Sequence, residues 1–346
     1  MIFTGLLCAA VAVLPPAAAE CGCWRYVRPE GRPSDTALTG VAVPDAHAGW
    51  AVGRRGRAPF ALAWNGARWR ETAVPAPPGG VLEGVSASSA RDAWIIASGR
   101  EGTVLHWTGR RWRSGPLGGV PRAVDARTAA DAWIAGGSGG RAALWRWDGA
   151  RWRPAEVPAL PGELVSVSAR AADDAWAAGA TALLHWDGRS WTEQGAGMDM
   201  GTGAGADGAE LADVVALRRD EAWAVGSRAA APHARRWDGR TWREVPVPGL
   251  RGRFDTVAGD GGSGVWAGGE DGDGRPILAH WAHGRWDLSR PPVPDPSGDD
   301  PGDGPASVAA LARTPGTGRV VAAGSYGRPR DPLRHAITWT DAPRPR

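Results

Sequence analysis

Short stretches in which apolar and polar residues alternate recur along this chain at intervals of about 45 residues. Each interval contains four such stretches, and in the second interval they are residues 82–87, 93–97, 103–107 and 112–114. Alternation with a period of two is typical of β-strands that bury one face, and the Gly, Asp and Asn residues between the stretches favour turns. The pattern therefore predicts an all-β chain of repeated four-stranded antiparallel sheets.

Tryptophan marks the repeat, with 21 Trp residues in a chain of 346. In six units one Trp lies in the second strand, one ends the third strand, and one begins the fourth strand five residues later. Constant spacing beside loops of variable length indicates that the third and fourth strands form a fixed hairpin. We expect the second-strand Trp residues to pack between neighbouring sheets, and these are Trp50, Trp94, Trp133, Trp176, Trp223 and Trp266.

The turn between the third and fourth strands carries an Asn-Gly or Asp-Gly pair in four units. Such pairs favour two-residue hairpin turns, because both central residues of the turn need a positive φ. The sixth unit differs, since its glycine, Gly284, comes one position later, and we expect another turn type there. The pairs are Asn65-Gly66, Asp148-Gly149, Asp187-Gly188 and Asp238-Gly239.

Two titratable positions recur beside the Trp positions. We interpret the acidic residues that precede the second strand as turn residues, namely Asp92, Asp131, Asp174 and Glu221. Histidines precede the third-strand Trp in the second, fourth and sixth units, so they should not converge on one metal ion. We expect these histidines to be exposed or hydrogen-bonded, and they are His106, His185 and His280.

The seventh unit is incomplete. Residues 307–311, 320–324 and 336–339 supply three strands, with Val321 at the position of the second-strand Trp, and no fourth strand is recognisable after them. Residues 23–27 have the form of a fourth strand, and pairing them with the last unit would close a ring and remove two exposed sheet edges. The sequence therefore predicts a seven-bladed β-propeller of four-stranded antiparallel blades, whose N-terminal strand completes the last blade.

The first 19 residues have the features of a signal peptide. Residues 2–14 are apolar but fewer than the roughly 20 that span a bilayer, and three alanines precede Glu20 as a cleavage pattern. We therefore expect export, to the extracellular space or the outer face of the cell envelope, of one propeller domain at residues 20–346 without a membrane span. Its predicted blades are residues 38–78, 81–118, 120–160, 163–195, 211–249, 253–290, and 306–340 together with 23–28.

Charge and cysteine content exclude some partners. All 40 basic residues are Arg, and 37 acidic residues reduce the formal net charge to +3. A nucleic-acid-binding protein normally has a stronger and more segregated positive charge, so we expect no nucleic-acid partner. Cys21 and Cys23 leave two alternatives open, a local disulfide or free thiols, and two cysteines alone form no zinc site.

One acidic loop resembles part of a calcium site. Glu270, Asp271 and Asp273 cluster as carboxylates that a hard cation prefers, but the loop lacks the third acidic position and the distal Glu of a full calcium loop. We interpret it as a solvated turn, with weak calcium binding as the alternative. The sequence therefore predicts no metal site and no cofactor.

The loops between the second and third strands vary most along the chain, and in a propeller they share a face with the connections between blades. Variable loops on a fixed scaffold usually carry the binding site. Guanidinium groups there suit phosphate, sulfate or uronate by bidentate contact, and the alternative is solubilising surface charge. The candidate binding residues are Arg54, Arg57, Arg100, Arg141, Arg228 and Arg328.

Two short motifs carry a resemblance to known families. The Ala-Trp-Ala-Val-Gly second strand at residues 222–226, followed by an outer strand that starts with Trp, resembles tectonin-type repeats. The Asp-Gly-Arg-Ser-Trp motif at residues 187–191 resembles the Asp-box of sialidase-type repeats, although that box has a residue between Asp and Gly and a Ser or Thr before them. The chain thus resembles secreted bacterial Trp-rich β-propellers. The resemblance implies the fold, and leaves the function open, because propellers serve as lectins, scaffolds and enzymes.

We expect a monomeric, non-catalytic binding or scaffold module that engages a cell-wall polymer, a glycan or a protein through the loops of one face. One alternative is a multivalent tectonin-like lectin with sugar sites between blades, where Trp145 is the Trp least explained by the repeat. Another is a glycosidase or lyase with carboxylates near the channel. Enzyme chemistry has little support, because Tyr26 and Tyr326 are the only tyrosines and no hydrolase, zinc-protease or phosphate-loop motif is present.

Overall fold

In the computed structural model, seven four-stranded antiparallel sheets form the blades of a β-propeller. The structure describes residues 24–31, 33–99, 101–194, 208–294, 301–302, 305–328 and 331–341. The predicted signal peptide, Cys21 and Cys23 lie outside the described residues. The first strands of neighbouring blades contact one another around the ring, so the first strand of each blade lies at the central channel and the fourth at the rim. None of the described residues belongs to a helix long and apolar enough to cross a membrane.

The chain enters through β1 (Trp24–Val27), which lies at the rim of the last blade, and then forms blades 1 to 4 in order. In each of these four blades the strand at the channel is the longest. Their strands are β2 (Thr36–Asp45), β3 (Ala48–Arg55), β4 (Ala58–Trp64) and β5 (Trp69–Glu71); β6 (Val81–Ser89), β7 (Asp92–Ser98), β8 (Thr103–Trp107) and β9 (Trp112–Pro116); β10 (Val120–Thr128), β11 (Asp131–Ser138), β12 (Arg141–Trp147) and β13 (Trp152–Ala155); β14 (Leu164–Ala171), β15 (Asp174–Gly179), β16 (Leu183–Trp186) and β17 (Trp191–Glu193).

Blades 5 to 7 repeat this arrangement, and a two-stranded ladder lies in the connection between blades 6 and 7. Their strands are β18 (Ala209–Arg218), β19 (Glu221–Arg228), β20 (Ala231–Trp237) and β21 (Trp242–Glu244); β22 (Gly252–Gly259), β23 (Val265–Asp271), β24 (Pro276–Ala282) and β25 (Arg285–Ser289); the ladder β26 (Val293–Pro294) and β27 (Pro301–Gly302); and β28 (Ala306–Thr314), β29 (Arg319–Arg328) and β30 (Asp331–Asp341).

The ring closes between the first and the last strand of the chain. β1 pairs antiparallel with β30, with Trp24 opposite Asp341 and Val27 opposite Thr338. The Thr338 hydroxyl also donates to the Val27 carbonyl at 3.1 Å. Trp24 is buried and meets the Trp266 ring of blade 6 edge to face, with ring centroids 5.1 Å apart. The prediction that the N-terminal strand completes the last blade is confirmed.

Three tryptophans meet at each of five blade interfaces. The second-strand Trp of one blade contacts the third-strand and fourth-strand Trp of the next blade, with ring centroids 4.8 to 6.3 Å apart in tilted or edge-to-face geometry. Edge-to-face pairs of this kind add stabilisation beyond the area that they bury. The second-strand residues of these five interfaces are all buried, and they are Trp50, Trp94, Trp133, Trp176 and Trp223.

A β-bulge interrupts the channel strand of every blade after one apolar residue. The bulges follow Leu38, Leu82, Pro121, Leu164, Leu211, Phe254 and Val308. In blade 5, Gly226 lies opposite Leu211, and a Cβ on Gly226 would overlap the carbonyl oxygen of Glu210. The glycine that ends the Ala-Trp-Ala-Val-Gly motif therefore allows the bulged channel strand to approach the second strand.

The prediction of two-residue turns between the third and fourth strands is wrong for the Asn-Gly and Asp-Gly units. In blade 3 the last ladder pair joins Trp147 to Trp152, which leaves four residues in the turn, and Gly149 has a positive φ of 91° whereas Asp148 does not. The Asp148 carboxylate instead accepts the backbone N–H groups two and three residues further on, each at 3.0 Å. The Asp side chain thus stabilises a longer turn, a role that asparagine also takes at Asn65.

The sixth blade does differ from the others, as expected. Ala282 and Arg285 pair directly, and both residues between them have positive φ, 53° at His283 and 80° at Gly284. This is the two-residue turn that we had expected for the Asp-Gly units. Without an Asp at the first position, the turn relies on the backbone conformation of these two residues.

Removal of β1 is expected to destabilise the propeller, because it exposes the edge of β30 and removes the buried Trp24 ring. Loss of a buried Trp side chain costs about 3–5 kcal/mol, so a chain that begins at Pro29 should melt at least about 5 °C lower than a chain that begins at Cys23. It should also self-associate through the free edge, measurable by light scattering. Equal melting temperatures and a monomeric shortened chain would contradict the closure.

Candidate functional site

The channel strands surround a cavity of about 530 Å³, lined mainly by residues that follow the bulges. Each channel strand has a ladder partner on one side only, so the backbone N–H groups of its other edge need acceptors from elsewhere. Small polar side chains of the preceding blade supply them at five junctions. The bonds run from Ala126 N–H to Ser86 Oγ (2.9 Å), Ala169 N–H to Asp125 Oδ2 (2.6 Å), Ala216 N–H to Ser168 Oγ (3.1 Å), Val257 N–H to Asp213 Oδ2 (2.8 Å) and Leu311 N–H to Thr256 Oγ1 (3.2 Å).

Two of these acceptors are carboxylates, Asp125 and Asp213, and both line the channel cavity. Burial raises the pKa of both groups, against the opposing effect of the hydrogen bonds that they accept, and the charge of Asp213 adds to the increase at Asp125. Asp213 also accepts a hydrogen bond from the Ser166 hydroxyl at 2.5 Å and one from the Val214 backbone N–H at 2.9 Å. Both carboxyl groups therefore join adjacent blades.

One end of the channel opens on the loop face, which we define as the side with residues 56–57, 139–140, 229–230 and 272–275 between second and third strands. Arg122 lies at the bulge of blade 3, and its guanidinium contacts Glu163 of blade 4 at 2.6 Å and Glu83 of blade 2 at 3.5 Å. These three side chains link three blades at the mouth of the channel.

A second charged group lies at the same mouth in blade 6. The Arg253 guanidinium contacts Asp255 at 2.8 Å and Glu270 at 3.3 Å. Burial raises the pKa of Asp255, which Arg253 partly offsets. Together with the group around Arg122, the mouth has four carboxyl groups against two guanidinium groups. Within these two groups, carboxyl groups therefore outnumber guanidinium groups.

The predicted binding arginines lie outside this mouth, at the ends of second or third strands on the loop face. Arg54 donates to the Gly56 carbonyl at 3.2 Å, and Arg228 contacts Glu244 at 3.2 Å. Arg57 and Arg141 are exposed, and neither forms an ion pair within the described part of the chain. The structure thus brings these four arginines to one face but not to one point. Arg100 and the side chain of Arg328 lie outside the described residues.

The interpretation of the acidic residues before the second strands as turn residues is wrong. In blade 4 the Asp174 side chain is fully buried and accepts from His185 Nε2 at 2.8 Å and Arg170 Nε at 2.5 Å. The His185 ring in turn lies against the Trp176 ring, with centroids 4.6 Å apart. Burial raises the pKa of Asp174, but the bonds from His185 and Arg170 outweigh it and hold this pKa below its ordinary value.

The same acidic–basic–Trp arrangement occurs in blades 2, 3, 5 and 6, with His or Arg as the basic member. A sequence signal for it exists: His or Arg directly before the third-strand Trp, and in most blades Asp or Glu two residues before the second-strand Trp. The sets are Asp92, His106 and Trp94; Asp131, Arg146 and Trp133; Glu221, Arg236 and Trp223; Asp260, His280 and Trp266.

A group of arginines that the repeat pattern did not reveal lies on the turn face. We define the turn face as the side opposite the loop face, with residues 46–47, 65–68, 90–91 and 108–111. Arg91, Arg110, Arg111 and Arg113 of blade 2 are all exposed, and none has an ion pair within the described residues. Arg91 packs beside Gly109, so the two turns that carry these arginines are adjacent. The signal was the Arg-Arg-Trp-Arg run at residues 110–113.

The acidic loop near residue 271 is organised by its own hydrogen bonds. The Asp271 carboxylate accepts the backbone N–H groups of Asp273 and Arg275 at 3.0 and 2.9 Å, and contacts the Arg290 guanidinium at 3.0 Å. These bonds hold the pKa of Asp271 below its ordinary value although burial opposes them. No group of three or more metal-ligating side chains occurs among the residues that the structure describes.

Trp145, the tryptophan outside the repeat pattern, lies in the core. It is buried, and a Cβ at Gly119 would overlap its ring.

A separate cleft of about 630 Å³ lies between blades 3 and 4, and Trp133, Trp186 and Arg146 are part of its wall. The Arg146 guanidinium lies over both indole rings, 5.0 and 5.6 Å from their centroids.

The class of protein that this geometry defines is the seven-bladed β-propeller. Comparisons with protein-family models and with curated proteins found no match to the sequence. Among solved structures the chain is similar to one described as YCF48 bound to D1 peptide, with a TM-score of 0.64 and 17% identity, over 94% of this chain and 99% of that one.

Two further solved structures are similar along nearly their whole length. YCF48 from Cyanidioschyzon merolae has a TM-score of 0.62 and 17% identity, over 93% of this chain and 100% of its own. The WD40 repeats of RRP9 have a TM-score of 0.62 and 14% identity, over 93% and 98%. At these identities the similarity shows the fold alone.

Replacement of Asp174 by Asn should destabilise the protein by about 2 kcal/mol at neutral pH, because it removes the charge that His185 and Arg170 contact. A carboxyl group whose pKa is lowered by folding stabilises the folded state above its ordinary pKa, and this contribution disappears as the pH falls through the lowered value. The difference between parent and Asp174→Asn should therefore shrink in acid. Urea unfolding at neutral and at acidic pH measures this difference, with Asp220→Asn, which removes an exposed carboxylate, as a control that changes little.

The opposite pH dependence is expected for Asp125. Because folding raises its pKa, its ionised form opposes folding at neutral pH, and its unfavourable effect disappears as the pH falls through the raised value. Asn can still accept from Ala169 N–H, so Asp125→Asn should gain stability relative to the parent as the pH rises from mildly acidic to neutral. A relative stability that does not change with pH, as expected for the exposed control Glu101→Gln, would contradict this assignment.

Proposed function

We propose that this chain is a non-catalytic binding module that engages a segment of a protein partner outside the cell through its loop face. The observation that carries the proposal is the distribution of charge on that face. Four carboxyl groups at the mouth of the channel surround Arg122 and Arg253, while the exposed Arg57 and Arg141 lie further from the axis.

A partner that fits this distribution has basic groups at its centre and acidic groups at its flanks. A uniformly anionic cell-wall polymer fits the outer arginines but meets like charge at the mouth, where Glu83, Glu163 and Glu270 lie. Juxtaposed like charges are costly in a complex, so the mouth discriminates against such a polymer. A polypeptide segment readily has both signs of charge within a short length.

Two further observations support the proposal. A similar propeller of known structure is described as bound to a peptide, which makes a peptide a reasonable partner class for a chain of this fold. The apolar run at residues 2–14 and the alanines before Glu20 support export to the extracellular space or the outer face of the envelope.

A glycan is the second candidate partner, and the cleft between blades 3 and 4 favours it. Its wall combines the Trp186 ring, which is partly exposed, with polar side chains that include Asp148 and Arg189. Aromatic faces beside a few polar groups are typical of small-ligand sites. In this alternative the chain is a lectin, and binding depends on Trp186 rather than on the loop face.

The test measures binding of three short synthetic peptides to residues 20–346: one acidic, one basic, and one with a basic centre and acidic flanks. We expect the third to bind most tightly, and to bind less tightly as ionic strength rises. Arg57→Glu combined with Arg141→Glu, and separately Glu83→Gln combined with Glu163→Gln, should each weaken it by about tenfold or more. The matched control is Arg110→Glu with Arg111→Glu on the turn face, which should leave it unchanged.

Other outcomes of this experiment would contradict the proposal in distinct ways. Tightest binding of the acidic peptide, lost in the turn-face variant, would assign binding to the arginines of blade 2. Binding of neutral oligosaccharides that is insensitive to salt and lost in Trp186→Ala would establish the lectin alternative. No binding of any peptide would reject the loop face as a peptide site.

A further inference from the structure

The interface between blades 7 and 1 lacks a residue that five other interfaces contain. Val321 occupies the position of the second-strand Trp in blade 7, and it packs with Trp69 and Trp64 of blade 1. In those five interfaces the equivalent pair of Trp rings contacts an indole from the preceding blade. Valine fills only part of the space that an indole takes, so two Trp side chains of blade 1 have lost their usual partner.

The charged members of the acidic–basic–Trp arrangement are also replaced in blade 7. Arg319, two residues before Val321, stands where most blades have Asp or Glu. Thr340 lies opposite Val321 in the ladder, where His185 lies opposite Trp176 in blade 4. All three positions that fill this space in blades 2 to 5 therefore have a shorter or oppositely charged side chain in blade 7.

A cavity of about 370 Å³ lies at this place. Its lining includes Val321, Thr340 and Arg319 from blade 7, and Trp64 and Trp69 from blade 1. The volume falls within the range of roughly 300–1,000 Å³ that is usual for small-molecule sites. The cavity is the space that the second-strand Trp and the His or Arg beside it fill in blades 2 to 6.

The cavity opens on the turn face. Trp69 at its base is buried, Trp64 is partly exposed, and His47, Thr317 and Arg319 at its rim are exposed. Arg319 forms no ion pair within the described residues; Asp341, a nearby carboxylate, accepts the Val320 backbone N–H at 3.1 Å. An apolar pocket with a guanidinium group at its rim suits a ligand that has an aromatic ring and an anionic group.

We propose that this cavity binds an aromatic ring of about indole size that carries a carboxylate, with the ring between Val321 and the two Trp rings and the carboxylate at Arg319. The occupant is a separate molecule, either a free aromatic acid or a peptide that ends in an aromatic residue.

The test measures binding to residues 20–346 of three probes: indole-3-propionate, neutral indole, and a short peptide with a C-terminal Trp. Calorimetry should give one site per chain, and the acid should bind more tightly than indole. Arg319→Gln should remove that preference, whereas the control Arg313→Gln, an exposed arginine of the same blade, should leave it intact. The ratio of the affinities of the free acid and the peptide identifies the source of the ring.

The decisive variant is Val321→Trp, which restores the side chain found at the other interfaces. It should fill the cavity, raise the melting temperature and weaken binding of every probe more than tenfold. Val321→Phe, a smaller replacement, keeps the test valid if the Trp variant does not fold. No binding to the parent chain, or equal binding to the parent and a folded variant with a filled cavity, would overturn the proposal.

Discussion

The structure depends on the contact, at five of its seven interfaces, between one tryptophan of a blade and two tryptophans of the next. A four-stranded blade cannot bury both of its faces alone, so the blades stack around an axis and indole rings fill the space between them. Each ring buries roughly 150–250 Å², which contributes about 4–6 kcal/mol. The indole N–H groups of Trp94, Trp133, Trp176 and Trp223 have no hydrogen-bond acceptor within the described residues, at a cost of about 1–3 kcal/mol each. Packing therefore outweighs polar satisfaction at these interfaces.

This contact explains why charged side chains lie so deep beside the rings. The His or Arg directly before the third-strand Trp lies against the indole of the second-strand Trp, and a buried carboxylate such as Asp174 accepts a hydrogen bond from it. At the channel, where the strands leave N–H groups without partners, Ser, Thr and Asp side chains connect one blade to the next. Aromatic packing and these short polar contacts hold the blades together. The loops are therefore not needed to join the blades, and they can differ from blade to blade.

The blade number and the ring closure were predictable from the sequence because they depend on local spacing. Two Trp residues five positions apart indicate a hairpin between the third and fourth strands in each unit. Residues 24–27 have the pattern of a fourth strand but precede the first blade, which indicated that they pair with the last one. The role of Asp174 was not predictable in this way, since it requires residues of strands β14 to β16 to converge in three dimensions. The turn at Asp148 was mispredicted because the expectation for Asn-Gly and Asp-Gly pairs considers only the backbone conformation. In the structure the Asp148 carboxylate stabilises a longer turn by accepting two backbone N–H groups. The acidic channel mouth was likewise missed, because its members come from bulge positions and from different blades.

Departures from a repeat show where a propeller can have a function beyond its own stability. Positions that build each interface are repeated because packing requires them, so their recurrence says little about ligands. Blade 7 breaks the rule at Arg319, Val321 and Thr340 together, and the space between blades 7 and 1 is left partly open as a result. Protein interiors are close-packed. A poorly packed space is therefore normally lost, either because the neighbouring side chains relax into it or because a larger side chain fills it. An indole-sized space that persists beside two Trp rings, with a guanidinium group at its rim, therefore has the properties of a site built for a separate aromatic ligand.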